Sequence, residues 1–225
     1  MRLLTQSDFT ATGWNLADAK VKALVEGILA SQEAAFSQYG ITQDLHIVHL
    51  MAQLSHESGE GTDLTESLNY KPAALMATWP THFTPALAQA YGRTTDHPAD
   101  QKMIGIIAYG GRMGNASAPS EEGYNYRGRG LIQTTGKKGY AALGKLTGLD
   151  LIANPERVNE PANAFRCAVA EFVSYPGMLG HCAHDNLLAV SSLINVGHLV
   201  TNPDSVKGYA DRVGQLNLWK HQYGF

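Results

Sequence analysis

The chain has 225 residues, of which 44% are hydrophobic and 16% charged. That suits a soluble globular protein with one sizeable domain and excludes a disordered polymer. With 17 lysines and arginines against 20 aspartates and glutamates, the net charge of −3 gives no electrostatic reason to expect nucleic acid or an anionic membrane as partner. Any target is expected to be recognised by shape and hydrogen bonds. Cys167 and Cys182 are the two cysteines, too few for a disulfide scaffold, and they read as buried free thiols. The opening residues, MRLLTQSDFTATGW, carry an early Asp8 and no apolar run, so neither a signal peptide nor membrane insertion is expected, and synthesis is expected in the cytoplasm.

In chain order the signals are mostly helical. Over residues 16–39, Val21, Leu24, Val25, Ile28, Leu29 and Phe36 recur at helical spacing, and Gly40 is a stop. Thr42 is the expected cap of a second helix with Asp44 in its first turn and Leu45, Val48, Met51 and Leu54 as its apolar stripe, fading at Ser58 and Gly59. Pro98 precedes a helix over Gln101–Tyr109, Pro161 one over 162–175, and Asn202-Pro203 one over 204–221. A shorter helix is expected over 185–193. Between 110 and 139 eight glycines break any helix and let a ligand approach the backbone closely. Residues 124–127 are a candidate short strand. No repeat or linker interrupts the chain, so it reads as one catalytic domain over 1–225, with 1–40 its helical N-terminal part.

The chemistry centres on carboxylates. His56-Glu57 at the end of an amphipathic helix has the start of a zinc-protease motif, but the position of the second histidine is held by Glu60, and no metal or other cofactor is expected. Glu57 lies among glycines and aromatic residues that suggest a cleft edge. Apolar shielding there would penalise its charged form, as suits a general acid. Glu66 follows nine positions later. On one straight helix the two would be ~13.5 Å apart along the axis, too far for a shared substrate, but a glycine break after Ser58 lets the chain turn back. Glycosidases that invert configuration hold their carboxyls ~6.5–9.5 Å apart and those that retain it ~5–5.5 Å. A helix-end residue with a loop residue suits the wider gap. Glu60, Asp63, Glu121 and Glu122 compete for these roles on spacing alone. The segment 126–136, YRGRGLIQTTG, does not have the order of a phosphate-binding loop.

Four blocks carry a resemblance: 53–59 (QLSHESG), 66–70 (ESLNY), 112–115 (RMGN) and 126–136. Weaker matches follow at 150–155 (DLIANP), at 193–195 (LIN) with Gly197, and at 210–214 (ADRVG). In these blocks the sequence resembles glycoside hydrolase family 19, the plant-type chitinases and, more closely, phage and prophage endolysins. The resemblance implies a mainly α, lysozyme-like single domain with a glycine-rich irregular cleft region, and inverting hydrolysis of a β-1,4 glycosidic bond. By position it implies Glu57 as general acid, Glu66 as general base and Thr135 as holder of the attacking water. Gln133, Asn195 and Arg212 match substrate- or base-orienting positions, and His56, Asn69, Tyr70 and Tyr126 match the cleft lining. Three departures stand out: Tyr124 where many relatives have tryptophan, Val196 in place of a glycine after Asn195, and Gly139 where plant members have asparagine.

The resemblance therefore implies a monomeric peptidoglycan glycosidase of the endolysin type, reaching the wall or periplasm through a holin-type pore. Chitin-like polysaccharide is the alternative substrate. A catalytically silent sugar-binding or virion protein would have no need of a paired acid and base, and a secreted antibacterial effector would share the chemistry and differ in delivery.

Overall fold

The computed structural model describes residues 1–225. It is built from helices: α1 Gln6–Ala11, α2 Ala19–Tyr39, α3 Asp44–Ser58, α4 Pro72–Thr78, α5 Pro85–Tyr91, α6 Gln101–Tyr109, α7 Glu122–Asn125, α8 Gly136–Thr147, α9 Pro161–Ser174, α10 Met178–Ala183, α11 Leu187–Val196 and α12 Tyr209–Tyr223. Pairing of extended backbone is confined to the isolated bridges of Arg129 with Thr65 and with Thr134. The expectation of a mainly α fold holds. No helix is long and apolar enough to cross a membrane.

The chain divides into two compact units. The first comprises Met1–Leu64, Gly130–Gln133 and Glu156–Phe225, the second Thr65–Arg129 and Thr134–Pro155. In the first unit α2 packs on α9 and α12 on α3. Asp18 caps α2 through the amides of Lys20 and Val21, and Gly40, in the left-handed region, ends it. The α2–α9 contact is closest at Gly27, where a Cβ would lie 2.2 Å from the Pro161 carbonyl oxygen. Only glycine allows that approach. Phe9 packs edge-on against Trp14 and Trp219, and both indoles donate to the Ser55 hydroxyl at 3.0 Å. These contacts fix α3 within a core that includes Leu24, Ile28, Ile47, Leu54 and Phe165. The apolar stripe of α3 is therefore buried on nearly every side, while His56 and Glu57 in its last turn stay half-buried.

The second unit has its own smaller core of Leu68, Leu75, Phe83, Ala88, Ile104 and Ala108, covered by Tyr70, Trp79, Tyr109 and Tyr124. Trp79 makes edge contacts with Tyr70 and Tyr109. Pro72 and Pro85 occupy the first positions of α4 and α5.

Four boundary expectations are corrected. The N-cap of α3 is Gln43, one residue beyond Thr42, and its side chain makes no capping bond. The expected helix over 204–221 starts late, because Pro203–Ser205 forms a 3₁₀ turn and Gly208, at φ +69°, precedes α12. Residues 122–125 are a helical turn, so the strand at 124–127 is absent. Gly139 does not break structure but sits inside α8, which the glycine count concealed.

Candidate active site

In the first unit the site is built on the last turn of α3. Glu57 is 18% exposed and accepts a hydrogen bond on Oε1 from Nη2 of Arg212 at 2.5 Å. Arg212 lies in the first turn of α12 and is 1% exposed. A buried guanidinium must find acceptors for its donors. Nη1 donates to the Gln53 amide oxygen, and Nε to the Lys207 carbonyl at 3.3 Å. Gln53 lies one turn before Glu57 on the same face of α3, and its NH₂ end donates to Ser191 at 3.2 Å. The donor-only guanidinium fixes which end of the amide faces it, since it can bond only the amide oxygen. The expected apolar shielding of Glu57 is thus corrected: the partner of its carboxyl group is a buried cation.

Next to this pair, His56 Nδ1 lies 2.5 Å from Asp211 Oδ2. Two adjacent residues of α3 therefore meet two adjacent residues of α12 with opposite polarity. Gly208 makes the approach possible: a Cβ there would fall 2.4 Å from His56 Cε1. Glu60, another candidate acid, accepts from Gln215 at 2.5 Å. Asn195 accepts the Lys207 amide at 2.9 Å and so pins the segment leading into α12. The Gln133 side chain donates to the carbonyls of Asp63 and Gly130, both at 3.0 Å. Both amides are thus engaged with backbone.

In the second unit Glu66 is held on both oxygens. The Tyr109 hydroxyl donates to Oε1 at 2.5 Å, and the Gly128 amide to Oε2 at 3.2 Å. The Glu66 amide in turn donates to the Gly128 carbonyl at 2.9 Å. Burial, and then the Glu66 carboxylate beside it, push the Tyr109 phenol far above its ordinary range, so it remains a proton donor. Tyr70 is raised by the same two causes in the same order. Asn69 is exposed. Thr135 occupies the N-cap position of α8 without capping it. Tyr126 departs from its expected cleft-lining place: it is 6% exposed, and its hydroxyl donates to the Ile152 carbonyl at 2.9 Å. Its ring belongs to the packing of the unit, against Tyr140.

Sequence reading missed three of these residues. Gln53 was findable, since it stands four positions before Glu57 on a helix. Asp211 and Tyr109 were not: their partners lie 155 and 43 positions away, and no local pattern marks such pairs. No group of three or more histidines, cysteines or acids converges in a way that could hold a metal.

No family model matches the chain. A glycosyl hydrolase family 19 domain-containing protein of Haemophilus influenzae is 36% identical over 135 residues, which is 60% of this chain and 64% of that protein. The chain thus spans less than two thirds of that relative's length. An endochitinase of Arabidopsis thaliana is 46% identical over 52 residues, 23% of this chain and 18% of the plant protein. Among solved structures, chitinase C from Streptomyces griseus superimposes with a TM-score of 0.60 over 98% of this chain and 92% of its own, at 17% identity. The helical fold is shared with that protein.

Proposed function

We propose that this chain, a relative of glycosyl hydrolase family 19, is a glycoside hydrolase that cuts β-1,4 bonds of bacterial peptidoglycan, with Glu57 as general acid and Glu66 as general base. The observation that supports this best is the difference between the two carboxyl environments. Glu57 is gripped on Oε1 by a single cation, which leaves Oε2 as the oxygen to deliver a proton. Glu66 is oriented on both oxygens by neutral donors, which fixes its plane while each oxygen retains a lone pair to receive one. A fixed carboxylate and a singly held one suit, respectively, activation of water and protonation of a leaving group.

In the reaction as proposed, Glu57 gives its proton to the glycosidic oxygen as the bond to the anomeric carbon breaks. Water attacks that carbon from the opposite face and loses a proton to Glu66. Thr135 steadies the water, while Gln133 and Asn195 hold the backbone that presents substrate-facing groups. Arg212 orients Glu57 and balances its charge after proton transfer. The protein works as a monomer, and reaches the wall from the cytoplasm of the host cell through a holin-type pore.

Chitin is the second reading, favoured by the plant relatives, an endochitinase and a chitinase. Mass spectrometry of digested peptidoglycan and of chitin oligomers, in ordinary and heavy-oxygen water, separates the readings. The proposal expects peptidoglycan fragments with muramic acid at the reducing end and one solvent oxygen per cut. Anhydro ends, peptide cleavage or action on chitin alone would refute it.

A further inference from the structure

The second unit contains cations that the reaction as proposed does not use. Lys102 pairs with Glu121 and Lys137 with Glu122, each at 2.5 Å. Arg127 and Arg112 have no such carboxylate partner. Arg127 immediately precedes Gly128, the residue whose amide holds Glu66. Its guanidinium stacks over the Tyr124 ring at 4.1 Å, and Nη1 donates to the Tyr124 carbonyl at 3.0 Å. Its side chain has no carboxylate partner. Arg112 is exposed, donates to the Ala108 carbonyl at 3.1 Å and likewise has no ion pair.

Glu66 forms no ion pair with either arginine: its oxygens go to the Tyr109 phenol and the Gly128 amide. Each arginine nevertheless feels the pair: the Glu66 charge acts on Arg127, and Arg112 acts on Tyr109. Burial, and then the like charge of Arg129, work against the Arg127 cation, which stays charged all the same. Arg129 itself is spent on the Asn125 carbonyl and the Tyr140 hydroxyl. The result is a half-buried guanidinium, held rigid by stacking, with Nε and Nη2 uncommitted. Such a fork matches a carboxylate in two parallel bonds.

We propose that Arg127, assisted by Arg112, forms a carboxylate-reading site beside Glu66 that selects acidic aminosugar polymers over neutral chitin. The inference rests on the glycosidase reading and names its substrate class. Chitin has no acid groups. Muramic acid carries a lactyl carboxylate, which is free in glycan stripped of its peptides, and the stem peptides carry carboxylates of their own. Either source presents the same chemistry to Arg127.

Binding to a Glu57→Gln protein tests this without turnover. Three tetrasaccharides serve as probes: peptide-bearing muramyl, peptide-stripped muramyl, and chitotetraose. Adding Arg127→Gln is expected to weaken at least one muramyl probe about tenfold, as loss of a hydrogen-bonded charge would, and chitotetraose less than twofold. The arm that weakens identifies the carboxylate. Arg127→Lys should recover part of the loss, and Arg112→Gln, remote from the Gly128 backbone, should give a smaller loss in the same direction. Equal weakening of all three probes, or of none, in variants that keep the parent's circular dichroism and melting temperature would overturn the site. Failure of the wild-type protein to hydrolyse any glycan would instead count against the glycosidase reading, because the binding ratios are measured independently of it.

Discussion

At the residue scale, the proposed function turns on a few hydrogen bonds whose removal should have separable effects. Replacing Glu57 with glutamine keeps the Arg212 contact but removes the transferable proton, and should lower kcat by roughly 10²–10⁴-fold. Wall binding and folding should persist. Lysis at the wild-type rate would show that another group is the acid. Tyr109→Phe deletes one of two donors to Glu66 and leaves the Gly128 amide in place. A misaimed base should lower kcat about tenfold or more with KM little changed, since substrate contacts are untouched. A change confined to KM would place Tyr109 in binding. Gln53→Leu should loosen the Arg212 fork, whose Nη1 would lose its acceptor inside the protein, with a cost to stability as well as rate.

At the scale of elements, helices were legible where apolar spacing and a stop residue agreed. The stripe of α2 and its end at Gly40 follow directly from sequence, and α6 begins and ends as read. The N-terminus of α12 was misplaced because Gly208 serves the approach of His56, a tertiary demand that local propensity cannot register. The short helices α4 and α5, each started by a proline, carry too few turns for periodicity to emerge. For the site, both glutamates could be named from motif positions. Their partners could not, because the Tyr109 and Asp211 contacts exist only once distant elements pack. One packing prediction belongs here. Gly27→Ala places a methyl against the Pro161 carbonyl, and should cost ~1–3 kcal/mol by forcing α2 away from α9. Urea denaturation would read this as a lower midpoint, and an unchanged midpoint would mean the helices shift apart freely.

For the whole molecule, buried titratable groups set the response to pH. Burial lowers His46 and His49, and for His49 it outweighs the favourable bond to Asp185. A histidine with a lowered folded value binds a proton more readily when unfolded, so stability is full above about pH 6.5 and falls as the pH drops through and below it. A second loss follows below about pH 4. Burial raises Asp8 and Asp185, but bonds from Arg2 and Thr5, and from Lys220 and His49, outweigh it and leave both depressed. Their contribution holds above the unfolded value and disappears as acid protonates them. His49→Gln should flatten the upper part of this profile in thermal melts, and a profile identical to wild type would remove His49 from the account. Cys167 and Cys182, both pushed up to about 12 by burial, should react with thiol reagents only after unfolding.

Proton NMR of the first sugar released, recorded before mutarotation, tests the division of labour between the two carboxyl groups most directly. Water delivered by Glu66 opposite a bond protonated by Glu57 must yield the α anomer from a β-linked substrate. An initial β anomer would mean a covalent glycosyl intermediate, and the proposed roles of these two residues would be wrong.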